Sequence, residues 1–503
     1  MPEILLSTLN AKYLHAAFGL RYLLANLGDL QPRAALLEFD INQRPLDIAE
    51  RILAERPTIL GLGIYIWNVA ATTELVAILR RLAPDLRIIL GGPEVSHEWE
   101  GQEIVRMADL VITGEADLLF AEVCRDWLAG RPPSAKVLHA PPPELTRVAL
   151  PYHLYDARDC EHRVVYVEAS RGCPFTCEFC LSSLDVPVRA VPLEPFLTAM
   201  QDLLDRGVRQ FKFVDRTFNL NLMVARRILQ FFLERWTPGL FVHFEMVPDR
   251  LPLELREWIR RFPPGALQFE VGIQTFHPEV ESRISRRQDH RRLDDNLRWL
   301  RKESGVHVHA DLIAGLPGES LESFGAGFDR LLALGPQEIQ VGILKRLRGT
   351  PIIRHDAEWS MVYSPFPPYE VLSTRDLTFA QLARLRRFGR FWDLYGNSGN
   401  FRSSLPELWR DGASPFIRFL AFSDWLHAEG VGTSGIAKER QYRLLERYLV
   451  EVAGRNLTEI APLLAQDREP GRSEPGLPRR QARHLASLGP VADPSRGPSE
   501  VQA

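Results

Sequence analysis

Cysteine is scarce in this 503-residue chain: there are five, and none follows Cys180. So few thiols, without a pairing pattern, exclude a disulfide-stapled scaffold and point to the reducing cytoplasm. Long apolar runs are missing as well, and no stretch reaches the roughly 20 residues of a spanning helix. Met1-Pro2-Glu3-Ile4 leads straight into a strand pattern, so neither a signal peptide nor a membrane partner is expected. An excess of charge is also lacking, and a formal net charge of -3 makes no case for nucleic acid. Arginines do cluster, at Arg283, Arg286, Arg287, Arg291 and Arg292 and again at Arg384, Arg386, Arg387 and Arg390. Both runs read first as solvated helix faces, with RNA contact the lesser alternative. What remains is an ordinary globular composition, 45% hydrophobic and 25% charged, on a chain long enough for two or three domains.

Three of the cysteines stand together in Arg171-Gly172-Cys173-Pro174-Phe175-Thr176-Cys177-Glu178-Phe179-Cys180, directly after the apolar run Val164 to Val167. A tight loop with this spacing can aim three thiolates at one cubane face and leave the fourth iron without a protein ligand. Zinc is the competing reading, but it wants four ligands, and the neighbourhood offers only Cys160, His153 and His162. The motif, with Phe179 as the aromatic before its last cysteine, resembles that of the radical S-adenosylmethionine (radical SAM) superfamily. The resemblance implies that Cys173, Cys177 and Cys180 hold a 4Fe-4S cluster whose open iron binds S-adenosylmethionine and splits it reductively to a 5'-deoxyadenosyl radical. A second cluster of the kind that methylthiotransferases of this superfamily carry needs three more cysteines upstream, where only Cys124 and Cys160 stand.

From Val164 onward, strands alternate with helical stretches at Val164 to Val167, Gln210 to Val214, Phe241 to Met246, Leu267 to Ile273, His307 to Ile313 and Glu338 to Ile343. Six such units predict an open, partial (β/α)6 barrel of TIM type over residues 164–354, with its active site at the carboxyl ends of the strands. Near those ends stand Asp215, Glu245, Glu270, Gln274, Asp311, Gly315, Pro317 and Ile343. The run Glu270 to Thr275 and the turn Gly315-Leu316-Pro317-Gly318-Glu319 resemble motifs of the same superfamily. By that resemblance these eight residues, with Phe179, bind S-adenosylmethionine. Taken by themselves they keep plainer roles open: Glu319 could cap the next helix, Gln274 could hold a loop, and Glu270 could pair with an arginine.

Residues 1–140 show a second strand and helix alternation and predict a doubly wound, parallel, Rossmann-like sheet. Its strands are placed at Ile4 to Thr8, Ala34 to Phe39, Ile59 to Ile66, Arg87 to Leu90 and Leu110 to Thr113. Such sheets bind ligands at the carboxyl ends of their strands, where Ser7, Thr8, Tyr65, Gly91, Gly92, Ser96, Gly114 and Glu115 lie. The succession Gly91-Gly92-Pro93-Glu94-Val95-Ser96, then Thr113-Gly114-Glu115, upstream of the cysteine loop, resembles the cobalamin-binding domain of one large radical SAM subclass. It implies that those eight residues contact cobalamin. The Asp-x-His-x-x-Gly frame that brings a histidine to cobalt elsewhere is absent, since neither His15 nor His97 sits in it. A domain that keeps the fold and has lost the ligand stays open.

Residues 141–163, with Pro141-Pro142-Pro143, read as a linker. Residues 355–465 read as a helical C-terminal extension around Trp392, Tyr395, Trp409, Phe416, Phe419, Phe422 and Trp425, packed on the barrel or serving as a lid. Residues 466–503 read as a disordered tail. The whole layout resembles cobalamin-binding radical SAM proteins with an uncharacterised, DUF4080-like extension. The resemblance implies methyl transfer from cobalamin to an unactivated carbon, with radical cyclisation, rearrangement or oxidation as rival reactions and a non-catalytic cobalamin or iron-sulfur protein as the rival class. Its partners would be a small electron donor, flavodoxin or ferredoxin, and a substrate that no motif names.

Overall fold

The computed structural model describes residues 1–469, and the predicted tail beyond them lies outside the described residues. Strands β1 (Ile4–Asn10), β2 (Ala34–Asp40), β3 (Ile59–Gly63), β4 (Arg87–Gly91), β5 (Leu110–Gly114) and β6 (Val137–Ala140) form one parallel sheet in the order β2-β1-β3-β4-β5-β6. All seven residues of β1 are buried, as an interior strand of a sheet covered on both faces must be. Leu5 and Leu9 meet α2 (Pro45–Ala54), α3 (Val69–Leu82) and α4 (Glu103–Met107) on one face. Ile4 and Leu6 meet α1 (Phe18–Ala25) and α5 (Leu119–Leu128) on the other. The strand order reverses between β1 and β3, which opens a crevice at their carboxyl ends. Helix α5 and strand β6 escaped the sequence pattern, and the third strand stops at Gly63, short of Ile66.

Residues 141–163 are a packed strap and not a free linker. Leu145, Tyr152 and Tyr155 are buried in the larger core, and α6 (Ala157–His162) starts with reciprocal hydrogen bonds between Asp156 and Asp159. Buried Arg21 of α1 donates to Asp159 at 2.6 Å and to Glu38 of β2 at 2.8 Å. The strap is thereby stitched to the first sheet through charges that water cannot screen.

The second sheet contains β7 (Val165–Val167), β8 (Gln210–Phe213), β9 (Phe241–Met246), β10 (Leu267–Gln274), β11 (His307–Ala314) and β12 (Glu338–Ile343), all parallel and in sequential order. The sequence placed each of them to within a residue at either end. Alternation along the strands sends Phe211, Phe213, Val242, Phe244 and Phe269 into the apolar core beneath the covering helices. Lys212, His243, Glu245, Glu270 and Asp311 occupy the alternate positions. An inward face with this much charge cannot close like a hydrocarbon-filled barrel, and it lines a chamber.

Beyond the barrel, α13 (Phe379–Tyr395) packs on β12, and α14 (Pro415–Ala428) packs on α13. Phe388 meets Phe328 at 4.9 Å and Phe416 at 5.0 Å, and Trp392, Tyr395, Phe416, Phe419 and Phe422 are buried. Most of the aromatics of the extension are therefore core, while Trp409 and Trp425 are partly buried against it. The last helix among the described residues, α16 (Leu457–Arg468), runs past the expected start of the tail, because the carboxylate of Asp467 accepts from the backbone N–H groups of Ser403 and Ser404 at 2.8 and 2.9 Å. No helix among the described residues is long and apolar enough to cross a membrane.

Candidate active site

The cysteine loop leaves the end of β7 through Gly172, whose φ of +90° and tight surroundings both demand glycine. A Cβ there would stand 2.7 Å from the carbonyl oxygen of Asp185, which accepts from Cys173 N at 2.9 Å. Cys173, Cys177 and Cys180 all face one cavity of about 270 Å³ at the carboxyl ends of β9 to β11. Burial pushes the thiols of Cys173 and Cys177 up from their ordinary range, while Arg286 pulls Cys177 back down. Among the described residues no three His, Cys, Asp or Glu side chains close around a single point as one zinc ion would require. A cubane, which takes one thiolate at each of three iron corners, needs them spread around a wider body.

Two residues holding this loop were not picked out from the sequence. Glu178 turns away from the cavity and is buried, accepting from Ser285 Oγ at 2.5 Å, from His355 Nε2 at 2.8 Å and from Arg354. Arg286 Nη1 lies 3.5 Å from Cys177 Sγ, and its other amine donates to the carbonyl of Gly272. Only its place in an arginine run marked Arg286; Arg291 and Arg292 of that run do sit exposed on a helix, while Arg283 and Arg286 are half-buried and engaged. The run spans the break between α10 (Pro278–Arg283) and α11 (His290–Glu303), and Arg283 stacks over Trp359 at 3.9 Å. In the second run Arg384 and Arg386 are paired with Asp424 and Glu370.

Phe179, Glu245, Glu270, Gln274 and Asp311 line the same cavity as the cysteines. Burial works against charge on Glu270, yet the hydrogen bond from His243 at 3.0 Å and the nearby Lys212 hold its carboxyl below the usual range. Glu245 is paired with Arg216 at 2.8 Å. Asp311 is pushed upward by burial, and its Oδ1 makes no hydrogen bond, with His309 Nε2 3.5 Å away. Gln274, at φ +73° beside a bulge in β10, likewise has a buried and unpartnered Oε1. The unpartnered Gln274 oxygen and the buried Asp311 carboxyl in a polar chamber suit the amine and hydroxyls of S-adenosylmethionine, so the residues present fit that group.

The other candidates from the barrel lie elsewhere. Asp215 accepts from Ala169 N at 3.0 Å and Ser170 Oγ at 2.6 Å, tying β8 to the start of the cysteine loop. Gly315 packs against Val371 and Leu382, and the Pro317 carbonyl accepts from Arg283 at 2.7 Å. Ile343 lines a separate cavity beside α13. Ser320, not Glu319, caps α12 (Leu321–Leu334), and buried Glu319 accepts from Thr275 at 2.5 Å.

A larger cavity of about 520 Å³ lies between the carboxyl ends of the first sheet and the cysteine loop. Tyr65, Gly91, Gly92, Gly114 and Glu115 line it. Gly92, at φ +106°, has no room for a Cβ, which would stand 2.4 Å from the carbonyl oxygen of Ile64. Ser7 and Thr8 are buried inside β1, where Thr8 Oγ1 donates to Gly63 O at 2.7 Å, and Ser96 Oγ donates to Gly92 O at 2.9 Å. Glu115 is held by Arg171 at 2.8 Å and by Arg189 at 3.2 Å, so it fastens the first sheet to the cysteine loop. Neither His97, packed on Gly349, nor His15, hydrogen-bonded to Tyr166, lines the space. A glycine-floored slot would admit a large planar ring close to the backbone. Arg216 and Ser182 border both cavities, so the two chambers adjoin.

Comparison with known proteins agrees with this division. A B12 binding domain model matches residues 5–124, a radical SAM superfamily model residues 167–331, and the model of a protein of unknown function, DUF4080, residues 357–468. An uncharacterized methyltransferase of Pyrococcus horikoshii is 25% identical over 56% of this chain and 65% of its own length. The 2-(S-pantetheinyl)-carbapenam-3-carboxylate methyltransferase of Streptantibioticus cattleyicolor is 24% identical over 56% of this chain and 46% of its own. The chain thus spans about half to two thirds of the length of these curated relatives. The radical S-adenosylmethionine methyltransferase TsrM of Kitasatospora setae, solved with cobalamin and its 4Fe-4S cluster, superposes with a TM-score of 0.60 at 17% identity, over 93% of this chain and 99% of that one. That likeness establishes the fold. The chain joins a B12-binding domain, a radical SAM domain and a DUF4080 region, and the cofactors that belong to these domains are cobalamin, a 4Fe-4S cluster and S-adenosylmethionine.

Proposed function

We propose that this B12-binding radical SAM protein is a methyltransferase acting on an unactivated carbon. The observation that carries the reading is the contact between the two cavities through Arg216 and Ser182, with the cysteines on one side and the glycine slot on the other. Bound in these places, cobalamin is a methyl carrier, and the cluster with S-adenosylmethionine is a source of a hydrogen-abstracting radical. Cys173, Cys177 and Cys180 would hold the cluster, Gln274 and Asp311 would orient the sulfonium ligand, and the glycines of the first sheet would let the ring approach the backbone. The chain's own work is positioning and the exclusion of water.

Several ties keep the two chambers in register. Arg171 reaches from the cysteine loop to Asp117 at 2.9 Å and to Glu115 at 2.8 Å. Arg348 and Tyr369, from the far side of the barrel, hold Glu94 at 2.8 and 2.6 Å. Geometry this constrained favours transfer between neighbouring chambers over a binding protein with separate sites. A flavodoxin or ferredoxin is the proposed electron donor. The test is anaerobic reconstitution with cobalamin, S-adenosylmethionine labelled in its methyl group, and a low-potential reductant. The reading expects 5'-deoxyadenosine and label passing through cobalamin; a fully loaded cluster that gives neither argues for the binding protein.

A further inference from the structure

A third cavity, of about 480 Å³, lies where β12 faces α13. Phe179, from the cysteine loop, lines both it and the cluster cavity, so the two spaces share a wall. Its carboxylates are engaged: Glu370 with Arg386 at 2.9 Å, Glu338 with His307 at 2.5 Å, and Asp393 with the Asn397 amide at 2.9 Å. Two of its cations are not. Among the described residues, the side chains of Arg390 and Lys345 form no hydrogen bond or close ion pair, although the charge of Arg390 reaches the Asp393 carboxyl. Outside the lining, Lys12 in the loop after β1 has a buried ammonium nitrogen without a hydrogen-bond partner, and it is close enough to Arg390 for the two charges to repel.

Like charges drawn together, one of them desolvated, raise the free energy of the empty chamber and lower it again when an anion enters. We propose that this chamber binds an oxyanion of the substrate, a carboxylate or a phosphate, at Arg390 and Lys345, with Lys12 adding its charge beside Arg390. A planar guanidinium beside two ammonium groups matches either one. The three cations come from the first sheet, the barrel and the C-terminal helix α13, so the site exists only when all three parts are assembled. Substrate anchored there extends past Phe179 towards the sulfonium cavity, which gives the DUF4080 region a part in recognition. The proposal rests on the catalytic reading above, because only an enzyme needs a substrate at this wall.

The test titrates inorganic phosphate and acetate separately into the full chain with its cluster loaded and oxidised, without S-adenosylmethionine or reductant, by calorimetry. One or both anions should bind at a single site. Arg390→Gln and Lys12→Gln should each weaken that binding about tenfold or more. Arg410→Gln, whose guanidinium is paired with Glu459, should leave it unchanged. Phosphate alone indicates a phosphorylated substrate, and acetate alone indicates a carboxylic acid. Arg390 is exposed, so its replacement leaves the core intact and keeps the experiment decisive. No binding of either anion, or binding that both variants retain, overturns the proposal. Formation of 5'-deoxyadenosine is measured separately, so the anion site can fail while the catalytic reading stands.

Discussion

Arg286 Nη1 lies 3.5 Å from Cys177 Sγ, while its other amine is fixed on the Gly272 carbonyl. The guanidinium thus bridges the cysteine loop and β10 and brings a positive charge to a thiol that burial disfavours as thiolate. Arg286→Met should keep the fold and lose iron to a chelator several-fold faster than the parent protein. Iron content after timed exposure to the chelator checks this.

Glu178 holds the opposite side of the loop. Its replacement by alanine strands His355 and removes the Ser285 hydrogen bond in a buried setting. Each lost hydrogen bond to a charged group costs about 1.5–3 kcal/mol, so the unfolding free energy from urea titration should fall by about that much or more, seen as a lower midpoint. Glu178→Gln, which keeps the shape and can still accept, should lose less.

Arg171 joins the chambers through Asp117, Glu115 and Glu168. Arg171→Met takes the guanidinium from buried Asp117 and Glu168 while Glu115 keeps Arg189, and breaking a buried pair costs about 3–5 kcal/mol. Cobalamin retention during gel filtration, followed by absorbance, should fall sharply in this variant. Retention equal to that of the parent would show that the latch does not shape the slot.

Glu319 supplies a pH dependence. Burial raises its carboxyl to about 8, against the hydrogen bond from Thr275, and its Oε2 has no partner. Between its ordinary range near 4.5 and about 8, the folded state holds a proton that the unfolded chain has released. Stability from this group is therefore complete at low pH and declines as pH rises through that window, at up to about 1.4 kcal/mol per unit. Glu319→Gln should remove that slope, as urea midpoints at pH 5, 6.5 and 8 would show.

Much of this was legible in the sequence, for identifiable reasons. The strands of the second sheet stood out because buried parallel strands are short apolar runs between helical stretches, and Phe241–Met246 and Glu338–Ile343 were placed to the residue. The cysteine loop carries its spacing locally. Strand β6 was not visible, because Val137–Ala140 is short, half-exposed at the sheet edge and preceded by prolines. Strand-end polar residues such as Asp215 and Glu115 carried no mark separating a ligand contact from a tie, since both roles use the same side chain. Arg286 and Glu178 depend on contacts of Arg286 with Cys177 and of Glu178 with His355 across long stretches of chain, which no local pattern encodes.

The central claim is that the three thiols leave one iron corner vacant for a sulfonium ligand. Its most direct test is the electron paramagnetic resonance spectrum of the anaerobically reconstituted, reduced protein before and after addition of S-adenosylmethionine. The account predicts a 4Fe-4S signal that changes on addition and is absent when Cys173, Cys177 and Cys180 are all alanine. A fully loaded cluster whose spectrum the ligand leaves untouched would contradict it.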